Sequence, residues 1–129
     1  MASAAQDTLA TARSLLRKPE ARTAGLWPRA AALLARQALE MALDEYWKSK
    51  RPGLELCTTH AQLLCLREYW EDKEEAGRIH LAWIALSRAC HHHPYELAPT
   101  AEELDRWFAV VDRLADRSTA LGTKVPSSQ

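Results

Sequence analysis

Residues 29–50, RAAALLARQALEMALDEYWKSK, run for 22 positions without a glycine or a proline, directly after Pro28. Alanine, leucine, arginine, glutamate and methionine lose little rotamer freedom in a helix, and proline is tolerated in its first turn. The stretch therefore reads as one long helix. Leu33, Leu34, Ala38, Met41 and Tyr46 fall roughly on one face, with Arg29, Arg36, Glu40, Asp44 and Lys48 mostly elsewhere. A helix with an apolar stripe must bury it against other elements, and every other periodic segment of the chain is also helical.

Leu9, Leu15 and Leu16 give a shorter leading helix that Pro19 ends, and RPG at 51–53 is a turn. Thr59, followed three residues later by Gln62, has capping-box spacing ahead of HAQLLCLREYW. Asp72 precedes KEE, which sets negative charge in the first turn of the next helix. Ile79, Trp83, Leu86 and Cys90 then recur at four, three and four residues as a buried stripe. Pro94 disfavours helical geometry at His93, which ends that helix about there. Thr100 and Glu103 form a second capping box before AEELDRWFAVVDRLADR. The expected architecture is all-α, an up-and-down bundle of four to five helices. Its parts are a short N-terminal helix (1–20), the bundle proper (21–117) and a loose C-terminal tail (118–129).

Composition narrows the function classes. Seventeen basic residues balance seventeen acidic ones in 129, so any polyanion site must be local. Cys57, Cys65 and Cys90 form an odd set without CxxC spacing, which argues against a disulfide framework and for a reducing, cytoplasmic setting. No run approaches the length of a membrane span, and no signal-peptide core is present in the N-terminal segment. The five tryptophans lie on predicted helices without an interleaved basic run, so core or interface positions are expected for most.

The chemistry concentrates in LSRACHHHPYEL, residues 86–97. Three readings of its histidine run compete. His91, His92 and His93, with Cys90 and Glu96, could supply metal donors. Consecutive helical residues point about 100° apart, however, and no second ligand pair accompanies them; no metal or cofactor is expected. Histidines in a last helical turn also interact favourably with the exposed carbonyls, which makes a C-terminal cap the second reading. The third pairs a histidine with Arg88. A guanidinium offers planar donors matched to phosphate, and an imidazole can take and return a proton near neutral pH. Those two groups suffice for cleavage of RNA through its 2′-hydroxyl without a metal.

RACHHHPY resembles the Rx4–6H motif of HEPN domains, with Arg88, four intervening residues and then His93. LARQALEMALDEYW is similar to the arginine- and glutamate-bearing helix of several HEPN-like families, and the resemblance covers roughly residues 25–117. It implies a compact helical bundle that dimerises with the motif-bearing helices facing each other. It also implies an endoribonuclease site built from Arg88 and His93, with His92, Tyr95 and Ser87 as auxiliary candidates. Arg88-x4-His93-x-Tyr95 further resembles the form found in HEPN toxins paired with nucleotidyltransferase antitoxins, where the tyrosine accepts AMP groups. The family often places a polar residue directly after the arginine, and here that residue is Ala89. HEPN domains that lack activity act as scaffolds, so a non-catalytic dimer binding a protein or a nucleotide is the alternative the resemblance leaves open.

Overall fold

A computed structural model describes residues 2–17, 27–91 and 97–123. These form five α-helices: α1 (Ala4–Arg17), α2 (Trp27–Lys50), α3 (Thr59–Tyr69), α4 (Lys73–Ala89) and α5 (Ala101–Thr123). A single 3₁₀ turn, Leu54–Leu56, joins α2 to α3, and there is no strand among the described residues. The fold is all-helical, as the periodicity predicts.

Helix α2 is the hub, packing against α1, α4 and α5. Its buried side overlaps the expected one at Ala38 and Tyr46 but is centred elsewhere. Ala31, Ala32, Ala35, Ala38, Leu39, Ala42, Leu43, Tyr46 and Trp47 are all inside, whereas Leu33 is 42% exposed and Leu34 and Met41 are only partly covered. The reason is steric. A stripe of alanines lets neighbouring helix backbones approach closely, and the bulk that fills the core comes from Leu39, Leu43 and Trp47 of α2 together with those neighbours. Leu9 of α1, Leu63 and Leu66 of α3, Ile79 and Leu86 of α4, and Leu104, Phe108 and Leu114 of α5 provide the neighbours' share. The leading helix belongs to the same core, through Ala5, Leu9 and Ala12.

Tyr46, Trp47, Tyr69 and Trp70 gather at the far end of α2. Tyr46 packs edge-on to Trp47 (5.0 Å between centroids) and tilted against Trp70 (5.2 Å), while Arg117 lies 4.9 Å above the Trp70 ring. Trp47 and Trp70 are buried, and Trp27, Trp83 and Trp107 pack partly buried against the core. All five tryptophans thus occupy packing positions.

Helix ends follow local chemistry, with two shifts from the sequence reading besides the end of α4, which comes at Ala89 and not about His93. Asp72 caps α4 by accepting from the backbone N–H groups of Glu74 and Glu75. Thr100 and Glu103 exchange reciprocal bonds of 3.0 and 3.1 Å at the start of α5. At α3 the cap is Thr58, whose hydroxyl accepts from Ala61 N–H, and not Thr59. Gln62 therefore serves elsewhere than in a capping box. It is buried, and its amide donates to Asp44 Oδ1, the Glu55 carbonyl and the Cys57 carbonyl. The turn leading there needs Gly53, whose φ of 108° is strained for any side-chain-bearing residue. The second shift concerns the C-terminus. Residues 118–123 are not loose: α5 continues to Thr123, and Ser118 is buried with its hydroxyl donating to the Leu114 and Ala42 carbonyls at 2.8 Å. That bond ties the last turns of α5 to α2.

The orientation of α2 has a direct test. Leu39→Ala should cost about 2–5 kcal/mol, because it opens a cavity in a closed core. Leu33→Ala should stay within about 0.5 kcal/mol, as surface substitutions do. Urea denaturation of the two variants measures both; similar losses would mean that α2 is rotated from this placement.

Candidate functional site

The C-terminal end of α4 lies against the N-terminal half of α2. On α2, Arg29, Leu33, Arg36 and Glu40 stand at i, i+4, i+7 and i+11 and so share a face. On α4, Trp83, Ser87 and Cys90 stand at i, i+4 and i+7 and share another. The two stripes meet. Trp83 Nε1 donates to Glu40 Oε2 at 3.1 Å, and Arg36 Nε donates to the same oxygen at 3.2 Å. Arg36 Nη1 reaches Cys90 Sγ at 3.6 Å. Burial opposes the charge on Arg36, but the bonds to Glu40 and Cys90 outweigh it, so its pKa lies above the ordinary arginine value.

The last turn of α4 ends without a glycine. Cys90 adopts the αR conformation, its N–H bonds to the Leu86 carbonyl at 3.1 Å, and His91 N–H closes back on the Arg88 carbonyl at 3.2 Å. The carbonyls beyond are met from α2, where Arg29 Nη1 donates to the Ala89 carbonyl at 3.4 Å and also to that of His91. A guanidinium here both satisfies orphan acceptors and opposes the negative end of the helix dipole.

Arg88 projects from the other side of this turn. It is exposed, and with Arg29, Ala85 and Ala89 it lines one wall of a groove of about 620 Å³. Leu97, Ala98, Pro99, Thr100, Glu103 and Trp107 line the remainder. The capping box of α5 sits at the rim, and the bonds from Thr100 hold the Glu103 carboxyl below its usual pKa. The groove thus combines two cationic side chains, one carboxylate and an apolar floor.

The sequence-predicted residues distribute unevenly over this geometry. Arg88 lies on the groove. Ser87 does not line it: its hydroxyl is buried on the face toward α2 and has no hydrogen-bond partner among the described residues. His92, His93 and Tyr95 lie outside the described residues, as does Glu96. His91 is exposed, and its carbonyl is the one held by Arg29. Cys57, Cys65 and Cys90 are all free thiols, and Cys90 donates to the Ser87 carbonyl at 3.3 Å. Among the described residues no group of three or more metal-ligating side chains converges, and no helix is long and apolar enough to cross a membrane. Thr100, Glu103 and Trp107 were not singled out by the sequence as groove residues, because nothing in their spacing links them to a motif twelve or more positions earlier.

A second polar cluster lies farther along α4. The His60 and His80 rings meet edge to face at 5.5 Å, and His60 is tilted toward Trp83 at 6.5 Å. His80 Nε2 is buried and has no partner among the described residues. Burial, then the neighbouring His60 and Arg67, push the His80 pKa below the ordinary histidine value. Comparison of the chain with protein-family models, with curated proteins and with solved structures finds no match.

His80 sets a pH dependence whose sign follows from its environment. Its native-state pKa is lowered, so the unfolded chain takes up the proton first, at about pH 6.5. The penalty on the native state is absent above that pH and grows as pH falls through the window below it. His80→Leu should therefore lose less stability than the parent between pH 7.5 and 5, read as urea midpoints. Identical pH dependence in the two proteins would contradict this reading of the cluster.

Proposed function

We propose that the protein is a HEPN-like, metal-independent endoribonuclease that cleaves RNA through the 2′-hydroxyl. The observation that carries this reading is Arg88 on an open groove at the end of α4, in an all-helical bundle, with His93 five residues on. The described end of α4 is consistent with the motif's place at a helix terminus.

In the proposed reaction the imidazole of His93 removes the proton of the 2′-hydroxyl. The 2′-oxygen attacks phosphorus, the bond from phosphorus to the 5′-oxygen breaks, and an imidazolium returns a proton to that leaving oxygen. The products are a 2′,3′-cyclic phosphate and a 5′-hydroxyl end. Arg88 orients the scissile phosphate and stabilises charge developing on its oxygens. Nothing in these steps calls for a cofactor.

A homodimer fits the same reading. Leu81 is 66% exposed and Ile84 39% exposed, and both share the outer face of α4 with Arg88 at i, i+3 and i+7. Two large aliphatic residues left in solvent beside the candidate site suit a helix that meets a second copy of itself. Such pairing brings two arginines to one polyanion site in a chain with no net charge. A toxin or defence role, with a nucleotidyltransferase-type antitoxin acting on Tyr95, belongs to the same family reading, as does a cytoplasmic setting.

Structured RNA incubated in EDTA with parent protein, Arg88→Ala and His93→Ala tests the proposal. Each substitution should lower the cleavage rate by about 10²-fold or more. Intact RNA with the parent protein, or equal cleavage by all three, would leave the non-catalytic helical module as the better account.

A further inference from the structure

The polar stripe of α2 is too specifically engaged to be an ordinary solvated face. Arg29 and Arg36 stand two turns apart, and both reach the same turn of α4. Arg29 takes the Ala89 and His91 carbonyls, while Arg36, steadied by Glu40, takes the Cys90 side chain. The three residues they hold, 89 to 91, directly follow Arg88. Glu40 is in turn fixed by Trp83 Nε1, from the same helix that is being gripped. A helix that ends without a glycine in the left-handed conformation leaves its final carbonyls to be met by something else. Here the carbonyls of Ala89 and His91 are met by a neighbouring helix, so α2 adds to the bonds that the turn makes within itself.

We propose that Arg29 and Arg36 are positioning residues for Arg88, a two-point clamp from α2 that fixes the terminal turn of α4 and so the direction in which the Arg88 guanidinium enters the groove. The consequence for activity rests on the ribonuclease reading above; the clamp itself does not. Arg29 also lines the groove, but the role assigned to it acts through the carbonyls of α4. The two arginines are unequal. Arg29 spends one terminal nitrogen on both of its carbonyls, which an ammonium can replace at one acceptor. Arg36 needs two nitrogens on different sides of a planar fork, and lysine cannot supply both.

The test combines amide hydrogen exchange with RNA cleavage for Arg29→Ala, Arg29→Lys and Arg36→Lys. In Arg29→Ala the amides of Cys90 and His91 should exchange about tenfold faster, while those of Leu63 and Phe108 keep their rates, as expected for a local opening. Cleavage by Arg29→Ala should lose kcat and also raise KM, because a groove charge goes with the clamp, and Arg29→Lys should recover most of these readouts. Arg36→Lys should resemble Arg29→Ala in exchange and in lost kcat, with KM unchanged because Arg36 does not line the groove. If Arg29→Ala does not fold, Arg36→Lys carries the same comparison. Unchanged exchange at Cys90 and His91 would overturn the clamp. Faster exchange with undiminished kcat would overturn its positioning role. Should the parent protein fail to cut RNA at all, the nuclease reading falls, and the exchange rates alone still decide whether α2 fixes the turn that carries Arg88.

Discussion

Close approach along the alanine face of α2 is the constraint on which the rest of this structure depends. Five alanines there, Ala31, Ala32, Ala35, Ala38 and Ala42, are sealed from solvent. Burying a small side chain contributes little by itself; its value lies in the distance it permits. Larger residues from α1, α4 and α5 reach across and fill the space, each such aliphatic burial being worth about 1.5–3 kcal/mol. With one side of α2 committed to this packing, its opposite, polar side is carried to the end of α4. The Arg36–Glu40 pair and Arg29 then meet backbone and side-chain groups that α4 leaves exposed.

That geometry explains how a chain with no net charge could present a local cationic site. Arg88 and Arg29 share one groove wall, although they lie on different helices and are far apart in sequence. Arg29 has two effects there. It contributes positive potential, and it neutralises the carbonyl end of α4, whose partial negative charge would otherwise oppose an anion at Arg88. On the proposed reading, the two effects together would favour a phosphate at this wall.

Much of the scaffold was legible in the sequence, and the exceptions have physical causes. Asp72 and the Thr100–Glu103 pair marked helix starts correctly because a cap is a local interaction among neighbours in the chain. Thr59 was expected as the cap from its spacing to Gln62, but Thr58 offers the same hydroxyl one residue earlier, and Gln62 is engaged by Asp44 and two carbonyls instead. The buried face of α2 includes Ala38 and Tyr46 as expected but is centred away from Leu33, because close packing brings in alanines that a count of large apolar side chains passes over. Ser118 looked like the start of a polar tail, yet its hydroxyl finds carbonyls on two helices. Arg88 could be placed in the last turn of α4 from the periodicity before it. The partners of Arg29, Arg36 and Glu40 could not, because spacing along one helix shows that residues share a face but not which residues of another helix they meet. The i, i+7, i+11 recurrence of those three charged residues opposite an apolar face was the available signal.

The central claim is that the end of α4 serves RNA cleavage by the 2′-hydroxyl, with protons moved by histidine and charge met by Arg88. The most direct measurement uses an RNA carrying a single 2′-deoxy substitution at the mapped cleavage position, incubated with the protein in EDTA beside its unmodified counterpart. The account predicts that the unmodified RNA yields 2′,3′-cyclic phosphate and 5′-hydroxyl ends, and that the substituted position is not cut. Cleavage at the 2′-deoxy position, or products ending in a 5′-phosphate, would contradict it.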